Sequence, residues 1–277
     1  MKFVKLCKVS LLVCIAVVFA ASACFASGKW GYDGQDGVST PVNWAHEAES
    51  CNGKVQSPID IPTGSVKKVD GIKIELNYNV EADGKAVEYS NNGHAVTVKP
   101  KAKRSITIDG GKYTLLQFHF HTLSEHTVDG KHSDMEMHLV HADEAFIAGK
   151  PEGKLAVLGV MIKEGAKNET LAKIFDHLPH ASHGDKKEVL TAELDANYEA
   201  LLPKGDRKVY AYSGSLTTPG CNEIVSWLVL DTPIELSKEQ IAHYRALFVD
   251  DHSKKEYHTN RPVQPLNGRE VSFGNVK

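Results

Sequence analysis

Several things are scarce in this chain, and each scarcity narrows what the chain can be. No basic run appears anywhere, and 32 Lys and Arg against 35 Asp and Glu leave a formal charge of −3. That balance argues against nucleic acid as a partner. No internal repeat, low-complexity tract or linker divides the 277 residues. They suit one large domain, long enough to bury a real core. The long apolar run is confined to the N-terminus and is too short and wrongly flanked for an integral membrane span.

That N-terminal run reads as a signal peptide over residues 1–26. Lys2, Lys5 and Lys8 form a basic start, "VSLLVCIAVVFAASA" an apolar middle, and small residues at Ala21 and Ala23, or at Cys24 and Ala26, offer cleavage before Cys24 or Ser27. Export to the periplasm or beyond is the expectation. Cleavage before Cys24 in "ASAC" would instead present a lipid anchor on that cysteine. Removing residues 1–26 takes away three lysines and no acid, so the formal charge moves from −3 to −6. Of five cysteines, Cys7, Cys14 and Cys24 belong to the leader or its end, leaving Cys51 and Cys221. One pair in an oxidising compartment predicts a disulfide.

The remaining chain, 27–277, is dominated by short strand-like runs bounded by Gly, Asp or Asn. They are residues 72–79, 94–98, 105–108, 112–120, 135–141, 155–162, 208–214 and 224–230. Helical periodicity is rarer. "NETLAKIFDHL" (168–178) stops before Pro179, and "SKEQIAHYRALF" (237–248) opens with a Ser237–Gln240 capping box. The fold class expected is β-rich α+β in one domain, with few, peripheral helices.

"QFHFHTLSEH", Gln117 to His126, carries the chemistry. Strand side chains alternate faces, so Gln117, His119 and His121 share one face and Phe118 and Phe120 the other. In the later strand "MEMHLVH", Glu136, His138 and Val140 share a face. Pairing of the two strands brings His138 opposite His119 and His121. Three imidazoles then converge with one tetrahedral corner open, the arrangement of a catalytic zinc centre, for which carbonic anhydrase is the standard three-histidine example. Gln117 lies two residues before His119, and Glu136 two before His138. Both can accept the proton on the ring nitrogen that faces away from a metal.

The ordered set "QFHFH", "SEHTVDG", "MEMHLVH", "LAVLGV", "GSLTTPGC", "VSWLVL" and "NRPVQPLNGR", with "WGYDG" and "NGKVQSPIDI" before it, resembles alpha-class carbonic anhydrases of the bacterial, exported type. The resemblance runs over roughly residues 29 to 277. It implies a central, mostly antiparallel twisted sheet with zinc in a conical cleft. It also implies reversible hydration of carbon dioxide to bicarbonate and a proton by zinc-bound hydroxide.

Carried over residue by residue, His119, His121 and His138 match the zinc ligands. Thr217 matches the threonine that orients the hydroxide and donates to Glu125, which must be an ionised acceptor for that chain to have one sense. Thr218 matches a residue beside bicarbonate. Val140, Val157, Leu216, Val225 and Trp227 match the apolar wall that holds carbon dioxide. His94 matches the proton shuttle, and Tyr32, Asn92, Thr97 and Gln117 match residues that order cleft water. Thr97 departs from the amide usual at its position. Carbon dioxide and bicarbonate are the partners implied, and a homodimer is left open. In the family the segment after Cys51 runs beside the Cys221 region.

Two other readings compete. "HFHTLSE" also spells the H-x-H-x3-E motif of cupins, where Glu125 would ligate iron or manganese. Alternatively, a non-catalytic binding module could occupy the same fold.

Overall fold

A computed structural model of the chain describes residues 30–78, 85–179, 188–194, 198–250 and 252–276. The leader read over 1–26, with its cleavage points and Cys24, lies outside the described residues.

Among the described residues, twelve strands join in one sheet. Across it run Glu188–Glu193, Ala86–Asn91, Val96–Pro100, Gly111–His121, Met135–Ala142, Leu155–Glu164, Val225–Leu236, Lys208–Gly214, Ser272–Asn275 and Lys67–Lys68. Ser105–Ile108 also pairs with Gly111–His121, and Ile74–Asn77 pairs with Ser105–Ile108. Neighbours along the main path are antiparallel except at two places, Leu155–Glu164 with Val225–Leu236 and Ser272–Asn275 with Lys67–Lys68. Among the described residues no helix is long and apolar enough to cross a membrane.

All eight strands expected from the sequence are present, with ends shifted by a few residues. Both helices are there too. Glu169–Phe175 is capped by the Asn168 side chain, which accepts from Leu171 N. Lys238–Arg245 begins with the reciprocal Ser237–Gln240 box. Each cap satisfies amide groups that a helix start leaves without an internal partner.

The central strands are buried on both faces, which is why they read as nearly continuous apolar runs. Every residue of Met135–Ala142 is buried. On one face Phe118, Phe120, Met137, Leu139, Leu158 and Val160 belong to the larger core. On the other, Val140, Val157, Val225, Trp227, Tyr210 and Tyr212 form a second apolar cluster. The polar residues of the candidate site sit in that second face. Apolar walls therefore surround them and keep their dielectric environment low.

Candidate metal centre

The register decides the site. Met135–Ala142 pairs antiparallel with Gly111–His121 so that His138 lies opposite His119, Glu136 opposite His121 and Val140 opposite Gln117. Directly paired residues share a face, so all six side chains project to one side. The ring centroids of His119, His121 and His138 are 4.7 to 5.3 Å apart. One ligating nitrogen from each lies within 4.8 Å of the other two.

The remaining ring nitrogens are all engaged. His119 Nδ1 donates to Gln117 Oε1 at 2.9 Å, His121 Nδ1 to the Thr259 carbonyl at 2.5 Å, and His138 Nε2 to Glu136 Oε1 at 2.9 Å. Each partner is an oxygen that only accepts, so each of those nitrogens carries the proton. The lone pairs left are His119 Nε2, His121 Nε2 and His138 Nδ1, and they face one another. His121 Nε2 is buried with no hydrogen-bond partner. A polar atom left so is costly unless something binds it, and a cation with nitrogen ligands is what this donor set fits. Burial lowers all three histidine pKa values, that of His119 well below 6.5 and that of His121 to about 4. They are neutral, as metal ligands must be. Gln117 and Glu136 stand where the sequence put them. Thr259 was missed, because a backbone carbonyl leaves no mark in a sequence.

Glu136 is fully buried, so it is no solvent-facing strand residue. Besides His138 it accepts from His126 Nδ1 at 2.8 Å and from the backbone amides of Glu125 at 2.9 Å and His126 at 2.8 Å. Burial alone would raise its pKa, but His126 and His138 bring it well below the usual carboxylate range. Gly159, opposite His138, leaves the room this needs, since a Cβ there would stand 2.9 Å from Glu136 Oε1. His126 Nε2 meets the Tyr212 hydroxyl at 2.6 Å.

Glu125 is also buried, and Arg261 N donates to its Oε1 at 2.8 Å. Burial raises its pKa to about 7, against the opposing pull of His138, the Arg261 amide and the Thr217 hydroxyl. Thr217 is among the groups that lower that pKa, while Oε2 is buried without a hydrogen-bond partner. Oε2 stands 3.5 Å from His121 Nε2 and 3.8 Å from His138 Nδ1. Glu125 thus flanks the three nitrogens, with its other oxygen held by backbone.

A cleft opens above the histidines. Trp30, Tyr32, Asn92, His94, Thr97, Gln117, Val140, Val157, Leu216, Thr217, Thr218 and Trp227 line it. Of the residues expected here, Val225 is the exception. It pairs with Leu155, two residues along from the Val157–Trp227 pair, and is buried in the same apolar cluster without lining the cleft. Asn92 caps its own turn, its Oδ1 accepting from His94 N at 3.0 Å and Ala95 N at 2.9 Å. Thr97 Oγ1 is 2.7 Å from Ser90 Oγ, so its hydroxyl is already engaged across the strand pair.

His94 lines the cleft, and its ring stacks on Trp30 with centroids 3.7 Å apart and planes 12° apart. Burial there lowers its pKa from 6.5 to about 4. Trp30 was not singled out from the sequence, where it stands only as the first residue of "WGYDG". The Cys51–Cys221 disulfide is formed, across a sequence separation of 170.

Comparison with known proteins points the same way. The eukaryotic-type carbonic anhydrase family matches residues 39–275. A carbonic anhydrase of Nostoc sp. is 39% identical over 250 residues, covering 88% of this chain and 85% of its own. One from Klebsiella pneumoniae is 39% identical over 253 residues, covering 89% and 91%. Among solved structures, an alpha-carbonic anhydrase from Thermovibrio ammonificans in complex with the inhibitor sulfanilamide superimposes with a TM-score of 0.73. It is 37% identical and covers 88% of this chain and 99% of its own.

Proposed function

The chain belongs to the eukaryotic-type, or alpha, carbonic anhydrase family, and from that premise we propose how its own residues do the work. The enzyme is a lyase that hydrates carbon dioxide reversibly to bicarbonate and a proton. Neither a cupin-type iron or manganese enzyme nor a non-catalytic module finds support in the family or the fold.

Zinc is the metal, held by His119 Nε2, His121 Nε2 and His138 Nδ1. Three neutral nitrogens on a closed, buried base suit it. When bound, it supplies a water acidic enough to give a nucleophile near neutral pH. The observation that carries this reading is the convergence of three unprotonated ring nitrogens, one of them buried without a partner.

The protein groups divide the remaining tasks. Gln117, Thr259 and Glu136 fix ring tautomer and orientation. Thr217 orients the attacking oxygen: burial holds the Glu125 pKa near 7, a cation bound beside it would favour its ionised form, and the threonine proton then goes to the carboxylate while its lone pair is free to accept. Thr218 lies beside the product. Val140, Val157, Leu216 and Trp227 provide an apolar wall for a substrate with no charge and no donor, and Val225 supports that wall from behind. Tyr32, Asn92, Thr97 and Gln117 shape the watery side of the cleft. His94 carries the proton out, and relief of its burial against Trp30 returns its pKa toward neutrality. The leader of residues 1–26 and the disulfide support a periplasmic or secreted enzyme, with an anchor through Cys24 as the second reading. Its assembly, monomer or homodimer, is a separate question for sedimentation.

Replacing His138 with Ala tests the metal assignment. Two strand histidines hold zinc poorly, so His138→Ala should lose both zinc and activity. Full zinc occupancy and full activity in that variant would overturn it.

A further inference from the structure

The turn that carries Thr217 leaves the Lys208–Gly214 strand at Ser215 and reaches the disulfide at Cys221. It is partly closed on itself, Leu216 N donating to Asn222 O at 3.1 Å and Cys221 N to Thr218 O at 2.9 Å. A second stretch, residues 50–57, grips it at both ends. At the start, Ser57 and Ser215 bond reciprocally. Ser57 N donates to Ser215 Oγ at 2.9 Å, and Ser215 N donates to Ser57 Oγ at 3.0 Å. Both serines are fully buried. Gly214 makes the approach feasible, since a Cβ there would stand 2.1 Å from Ser57 Oγ. At the far end, Ser50 Oγ donates to Gly220 O at 2.5 Å, Gln56 Nε2 donates to Cys221 O at 3.1 Å, and the disulfide adds a covalent tie.

The same two residues reach the partner of Thr217. Arg261 Nη1 donates to Gln56 Oε1 at 2.9 Å and to Ser57 O at 2.8 Å, and Arg261 N holds Glu125 Oε1. Gln56 and Ser57 therefore touch the supports of both Thr217 and Glu125, while neither lines the cleft.

We propose that Ser57 and Gln56 are positioning residues of carbon dioxide hydration, which set the placement of Thr217 against Glu125 and so the aim of the attacking oxygen. The inference rests on the reading of Thr217 given above. It separates the hydrogen-bonded grip from the disulfide, because the bond at Cys221 does not reach the Ser215 end of the turn.

The test uses the oxidised, zinc-loaded full-length enzyme in weak buffer, where proton export limits kcat. A misaimed nucleophile slows attack and leaves export alone. Ser57→Ala should lower kcat/KM for carbon dioxide about tenfold, the scale expected for a small misplacement of a reacting group. Its kcat and zinc content should stay near those of the parent. A merely structural role reduces the number of active molecules, so kcat and kcat/KM would fall together with KM unchanged, and that result overturns the proposal. So does a Ser57→Ala enzyme indistinguishable from the parent.

Thr217→Ala, measured alongside, keeps the two ideas apart. If it lowers kcat/KM and Ser57→Ala does not, only the positioning role falls. If Thr217→Ala has no effect, the reading of Thr217 falls first. The double variant should be no slower than Thr217→Ala alone, and multiplied losses would contradict action through that residue. Should Ser57→Ala fail to fold, Ser215→Ala breaks the same clamp from its other side and must show the same split.

Discussion

Gln117 Oε1 stands 2.9 Å from His119 Nδ1, two residues along one strand and on one face of it. That contact fixes which nitrogen of His119 is free. Gln117→Ala would leave the Nδ1 proton without its acceptor and the ring free to turn. Loss of such a partner costs about 10- to 100-fold in metal affinity or activity. Competition with a chelator should show zinc held at least several-fold more weakly in the variant, and unchanged affinity would count against the role given to Gln117.

His94→Ala should slow turnover in weak buffer while sparing exchange between carbon dioxide and bicarbonate. Small imidazole buffers should partly restore the rate, because they replace the missing proton carrier. An unchanged rate would mean that protons leave through cleft water without His94.

The disulfide offers a third check. Joining Cys51 to Cys221 across a separation of 170 residues constrains the unfolded chain, on the order of 5 kcal/mol at most in the chain-entropy view. Against a net stability of about 5–15 kcal/mol that is a large share. A reductant should lower the melting temperature markedly and reduce activity before zinc is lost, since Thr217 loosens while no ligand is touched. Alkylation of the unreduced protein should modify neither cysteine, and finding both modified would refute the bridge.

Stability should also depend on pH through His141, which faces away from the metal centre. Its Nε2 meets the Tyr78 hydroxyl at 2.7 Å, its Nδ1 is 3.2 Å from Ala156 O, and burial lowers its pKa from 6.5 to about 4. Between those values the unfolded chain binds a proton that the folded chain refuses. The contribution is therefore fully present above about pH 6.5 and is lost as pH falls toward 4, on the order of 3 kcal/mol for this drop in pKa. Thermal melts from pH 7 to 4 should fall steeply for the parent and less steeply for His141→Phe. Parallel curves would contradict this.

Much of the centre was legible because strands write their geometry into the sequence at period two. His119, His121 and His138, with Gln117 and Glu136, follow from parity plus one assumed pairing, and the observed register bears that pairing out. The Ser237–Gln240 box was legible for a similar reason, being local. What escaped notice depends on contacts distant in sequence. Thr259 offers only a carbonyl, Trp30 meets His94 from 64 residues away, and Ser57 meets Ser215 from 158 residues away. Ala86–Asn91, Glu188–Glu193 and Ser272–Asn275 were missed as strands because they are mixed in composition and held by pairing more than by pattern. Val225 shows the limit of parity, which gives the correct face but not the depth at which the cleft ends.

The most direct test of the account is zinc content measured together with carbon dioxide hydration on the purified enzyme. The account predicts one zinc per chain, hydration that disappears when a chelator removes the metal, and recovery when zinc is returned. A well-folded protein that hydrates carbon dioxide without bound metal, or that holds zinc at His119, His121 and His138 and hydrates none, would contradict it.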